Sequence, residues 1–195
     1  NPLFNGNEKK YLMECIDTGW VSANGRFVTE FEKEFAQFCG TKYALTCSNG
    51  TVTLHLILAA LGIGPGDEVI MPTLTYIATA NAVRYCGATP VFVDSEEDTF
   101  NMDPEKLEEK ITENTKAIMP VHLYGLSANM RRIQEIADKH SIPVIEDAAE
   151  AHGAEYDGKK VGSMGLAASF SFFGNKVITC GEGGMITTND EALYQ

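Results

Sequence analysis

The sequence predicts an α/β fold in which a mostly parallel sheet is covered by helices on both faces, a three-layer αβα arrangement. Several short runs are continuously apolar and rich in Val, Ile and Met, as the buried strands of a parallel sheet are. These runs alternate along the chain with amphipathic helical segments. The 195 residues contain no repeat, no low-complexity tract and no Pro/Ser-rich linker. One continuous domain is therefore expected.

Two amphipathic helices are predicted at the start of the chain. Over residues 8–18, helical spacing places Tyr11, Leu12, Cys15 and Ile16 on one face. The next helix is predicted where four aromatic side chains recur at helical spacing, namely Phe27, Phe31, Phe35 and Phe38.

An alternation of strands and helices follows. The strands are predicted at 43–47, 68–71, 90–93, 116–121, 143–146, 168–172 and 184–188. The helices between them are predicted at 51–61, 75–86, 104–112 and 129–140. An open α/β sheet binds ligands at the carboxyl ends of its strands, so candidate site residues are sought there.

Composition and charge exclude several classes of function. With 15 Lys and Arg against 27 Asp and Glu, the formal charge is −12, which disfavours a nucleic-acid backbone as main partner. The longest nearly apolar run, 53–63, is about half the ~20 residues that a membrane span needs. The first ten residues lack the pattern of a secretory signal. Five scattered cysteines without a C-x-x-C pair indicate reduced thiols and a cytoplasmic protein.

The turn after the first predicted strand is a candidate phosphate cradle. Gly50 and Thr51 stand at the start of a helix, where free backbone N–H groups and small side chains let an anion approach. The alternative is an ordinary helix N-cap formed by Ser, Asn or Thr. Two other phosphate motifs fail. Residues 153–160 have the spacing of a P-loop, but Lys160 stands where Ser or Thr must hold magnesium, and no G-x-G-x-x-G follows the first strand.

Two carboxylates end the apolar strand that begins near residue 142. Strand alternation points Glu146 and Asp147 in opposite directions, so at most one of them faces a given pocket. A carboxylate at the end of a buried strand needs a cation or several hydrogen-bond donors. The alternative is a carboxylate that caps the following segment, 148–152.

A lysine and an aromatic residue complete the candidate set. Lys176 follows a predicted strand and precedes the glycine-rich segment 181–184. A tight, partly apolar loop beside another cation would favour its nucleophilic, unprotonated amine; the alternative is a solvated surface charge. Tyr76, at a helix start, could cover a flat ligand or could simply pack against its neighbours. The four histidines lack spacing such as H-E-x-x-H, so no metal site is expected.

In chain order these signals are a phosphate cradle, an aromatic ring, a strand-end carboxylate and a serine five residues before a lysine. That order is typical of a pyridoxal phosphate site. Five motifs carry a more specific resemblance: Gly-Trp-Val-Ser at 19–22, Ser-Asn-Gly-Thr at 48–51, Pro-Val-His-Leu-Tyr-Gly at 120–125, Glu-Asp-Ala-Ala at 146–149 and Ser-Phe-Phe-Gly-Asn-Lys at 171–176. On these motifs the chain resembles the DegT/DnrJ/EryC1/StrS family of sugar aminotransferases, which have the large domain of fold type I.

The resemblance implies a role for each matching residue. Lys176 would bind pyridoxal 5′-phosphate covalently and later move a proton between Cα of the substrate and C4′ of the cofactor. Asp147 would pair with the pyridine nitrogen and keep it protonated, so that the ring can accept electrons. Tyr76 would stack on the face of the ring. Glu150 stands where many members carry Gln, and its charge would lie near the ring oxygen or the substrate.

The phosphate group would be bound by the backbone amides of Gly50 and Thr51 and by the hydroxyl of Ser171, again as the resemblance implies. Together with Tyr76, Asp147, Glu150 and Lys176, these residues form the expected site.

The family resemblance also implies the reaction. L-Glutamate would give its amino group to the cofactor, which would pass it to a nucleotide-linked keto sugar with ping-pong kinetics. The Gly-Asn-Lys loop and the Gly-Glu-Gly-Gly segment are most similar to enzymes of the GDP-perosamine synthase kind. A 4-keto-6-deoxy sugar, a cytoplasmic homodimer and a place in polysaccharide or O-antigen biosynthesis are therefore expected.

Residues 1–195 are expected to hold the N-terminal segment and most of the large cofactor-binding domain, without the family's small C-terminal domain. Three alternatives stay open. One is a non-catalytic cofactor-binding or regulatory module of the same fold. Another is a sugar 3-dehydratase, in which histidine replaces the lysine, so that Lys176 argues against it. The third is an unrelated nucleotide-binding α/β domain.

Overall fold

The computed structural model describes residues 2–195, and its elements follow the predicted alternation. The helices are α1 (Glu8–Thr18), α2 (Arg26–Cys39), α3 (Gly50–Ala60), α4 (Ile77–Tyr85), α5 (Met130–His140) and α6 (Glu191–Tyr194). The strands are β1 (Tyr43–Cys47), β2 (Glu68–Pro72), β3 (Thr89–Val93), β4 (Thr115–Ile118), β5 (Ile145–Asp147), β6 (Glu155–Tyr156), β7 (Lys159–Lys160), β8 (Ala167–Ser171) and β9 (Gly184–Thr188).

Seven of the strands form one sheet in the order β1-β9-β8-β5-β4-β2-β3. Two ladders, β1-β9-β8-β5 and β3-β2-β4, make up its halves. Parallel bridges from Ile118 to Val144 and from Val121 to Asp147 join the halves where β4 passes β5. Of these seven strands β9 alone runs against its neighbours, while the others share one direction. The prediction of a mostly parallel sheet is confirmed.

Helices cover both faces of the sheet because each buried strand presents apolar side chains alternately to either side. On β2, Val69 packs into the layer that α3 and α4 cover, whereas its neighbour Ile70 packs into the layer under α5. Phe35 of α2 covers the same face as α5, beneath β8. Burying a side chain of this size contributes about 1.5–3 kcal/mol to the stability of the fold. The three-layer prediction is thus also confirmed.

Helix α1 forms where predicted, but its apolar face is not covered within the described chain. None of its residues is buried, and Leu12 and Ile16 are 66% and 64% exposed. Contacts to α2 hold it in place: the ring of Tyr11 lies 5.0 Å from that of Phe27, and an ion pair joins it to Arg26.

The prediction of a helix at 104–112 is wrong. The segment forms two single 3₁₀ turns, Pro104–Lys106 and Glu108–Lys110. The side chain of Asp103 accepts a hydrogen bond from the N–H of Glu105 and caps the first turn. Ile111 is already extended, because the chain must turn into β4 only a few residues later. The segment is therefore too short for an α-helix to develop.

The segment with P-loop spacing, 153–160, forms the β6–β7 hairpin. Asp157 and Gly158 both adopt positive φ, at 51° and 76°, as a two-residue hairpin turn requires. A strand–loop–helix phosphate motif is therefore absent from this part of the described chain.

Candidate active site

A cavity of about 470 Å³ opens at the carboxyl ends of the parallel strands. Its walls come from the segments that follow β1, β2, β4, β5 and β8, which is where an open α/β sheet binds ligands. The seven residues expected from the sequence to form a site all line it, and they are Gly50, Thr51, Tyr76, Asp147, Glu150, Ser171 and Lys176.

The first turn of α3 presents backbone N–H groups to the cavity. Asn49 caps the helix, its side chain accepting a hydrogen bond from Val52 at 2.9 Å. The N–H groups of Gly50 and Thr51 have no acceptor within the helix, and they form the positive end of its dipole. A Cβ on Gly50 would lie 2.8 Å from Cβ of Ser171, so only glycine lets the two segments approach this closely. The helix terminus and the serine hydroxyl form a compact corner whose donors can bind an anion.

Tyr76 stands at the cavity mouth, directly before α4. It occupies the N-cap position with an extended backbone. Tyr76 is 72% exposed as a residue, so it does not have the packing role considered from the sequence. An aromatic face that is open to the cavity can cover a flat ligand.

Asp147 ends β5 and its side chain turns into the cavity wall. It is 5% exposed, and Oδ2 accepts a hydrogen bond from the hydroxyl of Thr79 at 2.8 Å. Oδ1 accepts from the N–H of Ala149 at 3.2 Å. Burial raises the pKa of Asp147, while Thr79, Ala149 and the more distant charge of Lys176 act in the opposite direction. A cationic N–H donor in the cavity would relieve this cost.

Glu146 points away from the cavity, as strand alternation predicts. Its carboxylate accepts four hydrogen bonds: from His122 Nε2 at 3.0 Å, and from the N–H groups of Gly162, Met164 and Gly165 at 2.7–2.8 Å. Burial would raise the pKa of Glu146, but the hydrogen bonds, with that of His122 the strongest, outweigh burial and lower it.

The imidazole of His122 is held in one orientation. Nδ1 of His122 accepts a hydrogen bond from the N–H of Ala128 at 3.1 Å, which leaves Nε2 to carry the hydrogen toward Glu146. Through Glu146 of β5, these hydrogen bonds join the loop after β4 to the loop before β8, on the side of β5 opposite to Asp147.

The amine of Lys176 reaches the cavity and lies 3.5 Å from Oε1 of Glu150. The two side chains are 14% and 27% exposed, so Lys176 is not the solvated surface charge considered as an alternative. Oε2 of Glu150 accepts a hydrogen bond from the N–H of Tyr124, a residue with a left-handed φ of 49°. Among residues 2–195, the closest charged partner of this amine is the carboxylate of Glu150.

Sequence reasoning missed other residues that line the cavity. Thr79 binds Asp147 and is itself bound by the hydroxyl of Thr75. Asn175 and Glu182 flank Lys176 along the same loop. A signal for the threonines was present, because positions four apart at a helix start share one face, and here that face follows a strand end.

Neither metal chemistry nor a membrane span has support among residues 2–195. They contain no group of three His, Cys, Asp or Glu side chains that could hold a metal ion. No helix formed by these residues has both the length and the apolar character to cross a bilayer. The five cysteines are free, and burial raises the pKa of Cys39 to about 12. His152 lies among aromatic rings rather than in the cavity wall, and burial lowers its pKa to about 4.

Comparison with known proteins gives consistent matches. The model of the DegT/DnrJ/EryC1/StrS aminotransferase family matches residues 3–195. GDP-perosamine synthase of Caulobacter vibrioides is 64% identical over 192 residues, covering 98% of this chain and 52% of the relative. GDP-perosamine synthase of Escherichia coli O157:H7 is 55% identical, with 99% and 53% covered.

The solved structures agree. The aminotransferase from Psychrobacter cryohalolentis superimposes with a TM-score of 0.95 at 45% identity, covering 99% of this chain and 49% of that one. The chain spans about half the length of the relatives that it matches.

Proposed function

The chain belongs to the DegT/DnrJ/EryC1/StrS aminotransferase family, and from this premise we propose that the protein is a pyridoxal 5′-phosphate-dependent transaminase. It moves an amino group from L-glutamate to a nucleotide-linked 4-keto-6-deoxy sugar and yields a perosamine-like product. The observation that carries the proposal is that a buried strand-end carboxylate, a lysine amine and a free helix N-terminus line one cavity. Relatives named GDP-perosamine synthase support the choice of sugar.

The residues present fit pyridoxal phosphate. Asp147 is buried, and its close partners are two neutral donors, so a protonated ring nitrogen would supply the missing positive charge. The corner formed by Gly50, Thr51 and Ser171 fits a phosphate group, because only a glycine at position 50 leaves the space. When bound, the cofactor supplies an aldehyde that condenses with amines and a ring that withdraws electrons from the neighbouring carbon.

We assign the following roles to this chain's own residues. The Nζ amine of Lys176 would bind the cofactor and, once released, would take a proton from Cα of the amino donor and return it at C4′ of the cofactor. Asp147 keeps a proton on the ring nitrogen. Tyr76 covers the face of the ring, and Glu150 fixes the position of the Lys176 amine between reaction steps.

Charge also suggests a second copy of the chain. Among residues 2–195, the charged side chains that line the cavity are three carboxylates, those of Asp147, Glu150 and Glu182, and one amine, that of Lys176. A phosphate and a dicarboxylate donor need more positive charge than this. We therefore propose a homodimer in which the partner subunit completes the site. Exposed apolar side chains beside the mouth, among them Ile77 and Val177, support an interface there.

The remaining assignments concern the part of the relatives that the chain matches, the compartment and the pathway. We propose that the chain corresponds to the N-terminal segment and most of the large domain of its relatives, supported by coverage of 52% and 53% of their length. We also propose that the protein acts in the cytoplasm, in polysaccharide biosynthesis and specifically in O-antigen synthesis. The five cysteines form no disulfide among residues 2–195, which is compatible with that compartment.

The alternatives have less support. A sugar 3-dehydratase would carry histidine at position 176, where this chain has lysine. A nucleotide-binding domain of another kind would need a phosphate motif that the hairpin at 153–160 does not provide. No observation favours a module without turnover.

Reductive trapping tests the proposed function. The whole protein is loaded with pyridoxal 5′-phosphate, reduced with borohydride, digested and mapped by mass spectrometry. We expect the label on Lys176 and no labelled peptide from Lys176→Ala. A label on any other lysine contradicts the assignment. A panel of nucleotide-linked 4-keto-6-deoxy sugars, assayed with L-glutamate, then identifies the acceptor, and activity with none of them refutes the substrate class.

A further inference from the structure

A chain of hydroxyl groups lies behind Asp147. Oγ1 of Thr79 is 2.8 Å from Oδ2 of Asp147, and Oγ1 of Thr75 is 2.7 Å from Oγ1 of Thr79. Thr79 is fully buried, and both threonines belong to the turn that opens α4, as does Tyr76. The turn that carries the aromatic ring of the cavity therefore also reaches the strand-end carboxylate.

The direction of these hydrogen bonds follows from the chemistry of the groups. An ionised carboxylate can only accept, so Thr79 gives its single proton to Asp147. Thr75 must then donate to Thr79. The hydroxyl of Thr75 has a second, longer acceptor in the carbonyl of Tyr76 at 3.4 Å, which is the weaker of its two options.

Asp147 depends on this donor because little else compensates its burial. The N–H of Ala149 is its other close donor, at 3.2 Å. The charged or titratable groups whose field favours its ionised form are Lys176 and His122, and neither makes a hydrogen bond to it in the described chain. Burial raises the pKa of Asp147, and the hydrogen bond from Thr79 is the largest effect in the opposite direction.

We propose that Thr79, supported by Thr75, is a positioning residue that fixes the carboxylate of Asp147 and keeps it ionised, so that it can hold a proton on the ring nitrogen of the cofactor. This inference rests on the proposed function, because it assigns to Thr79 an effect that passes through Asp147. Nothing requires Thr79 to touch the substrate.

A double-mutant cycle tests the inference. Thr79→Val keeps the shape of the side chain but removes its hydroxyl, and Asp147→Asn removes the charge on which the hydroxyl acts. The measurement is the dissociation constant of pyridoxal 5′-phosphate, followed by absorbance. A hydrogen bond to a charged group corresponds to roughly tenfold or more in affinity. We therefore expect Thr79→Val to weaken binding at least about tenfold in the native background and by less than about twofold beside Asp147→Asn.

Two further variants separate positioning from general stability. Thr79→Ser retains the hydroxyl and is expected to bind the cofactor within about threefold of the native protein. Thr187→Val is the matched control: Thr187 is equally buried and donates to the carbonyl of Gly162 at 2.7 Å, but it does not line the cavity. We expect its cofactor affinity to stay near native even where urea unfolding shows a loss of stability.

A second readout needs no cofactor. In cofactor-free protein labelled with ¹³C at the Asp carboxyl groups, the titration midpoint of Asp147 is expected to move to higher pH in Thr79→Val and to return in Thr79→Ser. An unchanged midpoint, or equal losses of affinity in both backgrounds of the cycle, overturns the inference. If Asp147→Asn itself binds the cofactor and turns over normally, the proposed function fails instead, so the two failures are distinguishable.

Discussion

Replacing Gly50 by alanine tests the anion-binding corner directly. The new methyl carbon would lie 2.8 Å from Cβ of Ser171 and 3.4 Å from its Cα, whereas carbon atoms in contact prefer about 3.5–4.0 Å. The first turn of α3 and the end of β8 must therefore separate by roughly 0.7–1.2 Å. Neither side moves freely: Asn49 caps α3, and β8 is paired on both edges.

The displacement has two expected consequences. Overpacking of this kind costs about 1–3 kcal/mol of unfolding free energy. Hydrogen bonds from the N–H groups of Gly50 and Thr51 to a phosphate would lengthen by about 1 Å, and losing one charge-assisted bond lowers affinity by about tenfold to a hundredfold. Affinity for pyridoxal, which has no phosphate, should fall much less.

The assay is an absorbance titration with pyridoxal 5′-phosphate and with pyridoxal, alongside urea unfolding. Gly64→Ala is the matched control, because the nearest atom to a Cβ there is 3.9 Å away and its φ is not left-handed. If Gly50→Ala binds pyridoxal 5′-phosphate within about twofold of the native protein, or loses both ligands equally, the corner does not bind phosphate.

Three more predictions concern the carboxylates. Burial raises the pKa of Asp147, so ionising its carboxyl group destabilises the fold as pH rises through that raised pKa. Asp147→Asn should therefore unfold at a higher urea concentration than the native cofactor-free protein at pH 7, and at the same urea concentration at pH values below the ordinary Asp pKa. The variant should also lose most transamination. Normal turnover would contradict the electron-sink role. For Glu146 the pKa is lowered, so its contribution is present above the ordinary Glu pKa and is lost as pH falls below it. Glu146→Gln should lower the unfolding free energy by about 3 kcal/mol at pH 7 and by less near pH 3, measured by urea titration; a pH-independent loss would contradict this. Glu150→Gln keeps an acceptor for the N–H of Tyr124 but removes the anion beside Lys176. Because one negative charge leaves the cavity, the KM for the dicarboxylate donor L-glutamate should fall in the transamination assay, and an unchanged KM would exclude a charge effect.

Local patterns predict most of the fold and the membership of the candidate site. The buried strands and the helices between them are readable because their apolar periods differ, and strand-end residues such as Gly50 and Asp147 must share one edge of a parallel sheet. The segment at 104–112 misleads because helical composition does not reveal that the chain has to turn at Ile111.

Partners of the site residues are harder to predict than the residues themselves. Thr79 meets Asp147 from 68 positions away, and His122 meets Glu146 from 24 positions away. The sequence identifies the carboxylates but not their donors, since such pairs depend on which loops the folded sheet brings together. For the same reason, the contact of Glu150 with the Lys176 amine could not be foreseen from the sequence.

The position of β9 sets the order in which the nascent chain can fold. This last strand lies between β1 and β8, and Gly184 approaches the carbonyl of Asn49 so closely that a Cβ there would be 2.5 Å from it. A nascent chain on the ribosome therefore cannot close the sheet until residues 184–188 have emerged, although β1 was translated long before. Binding of pyridoxal 5′-phosphate must await that insertion, because β9 joins the strand that precedes Gly50 to the strand that ends at Ser171.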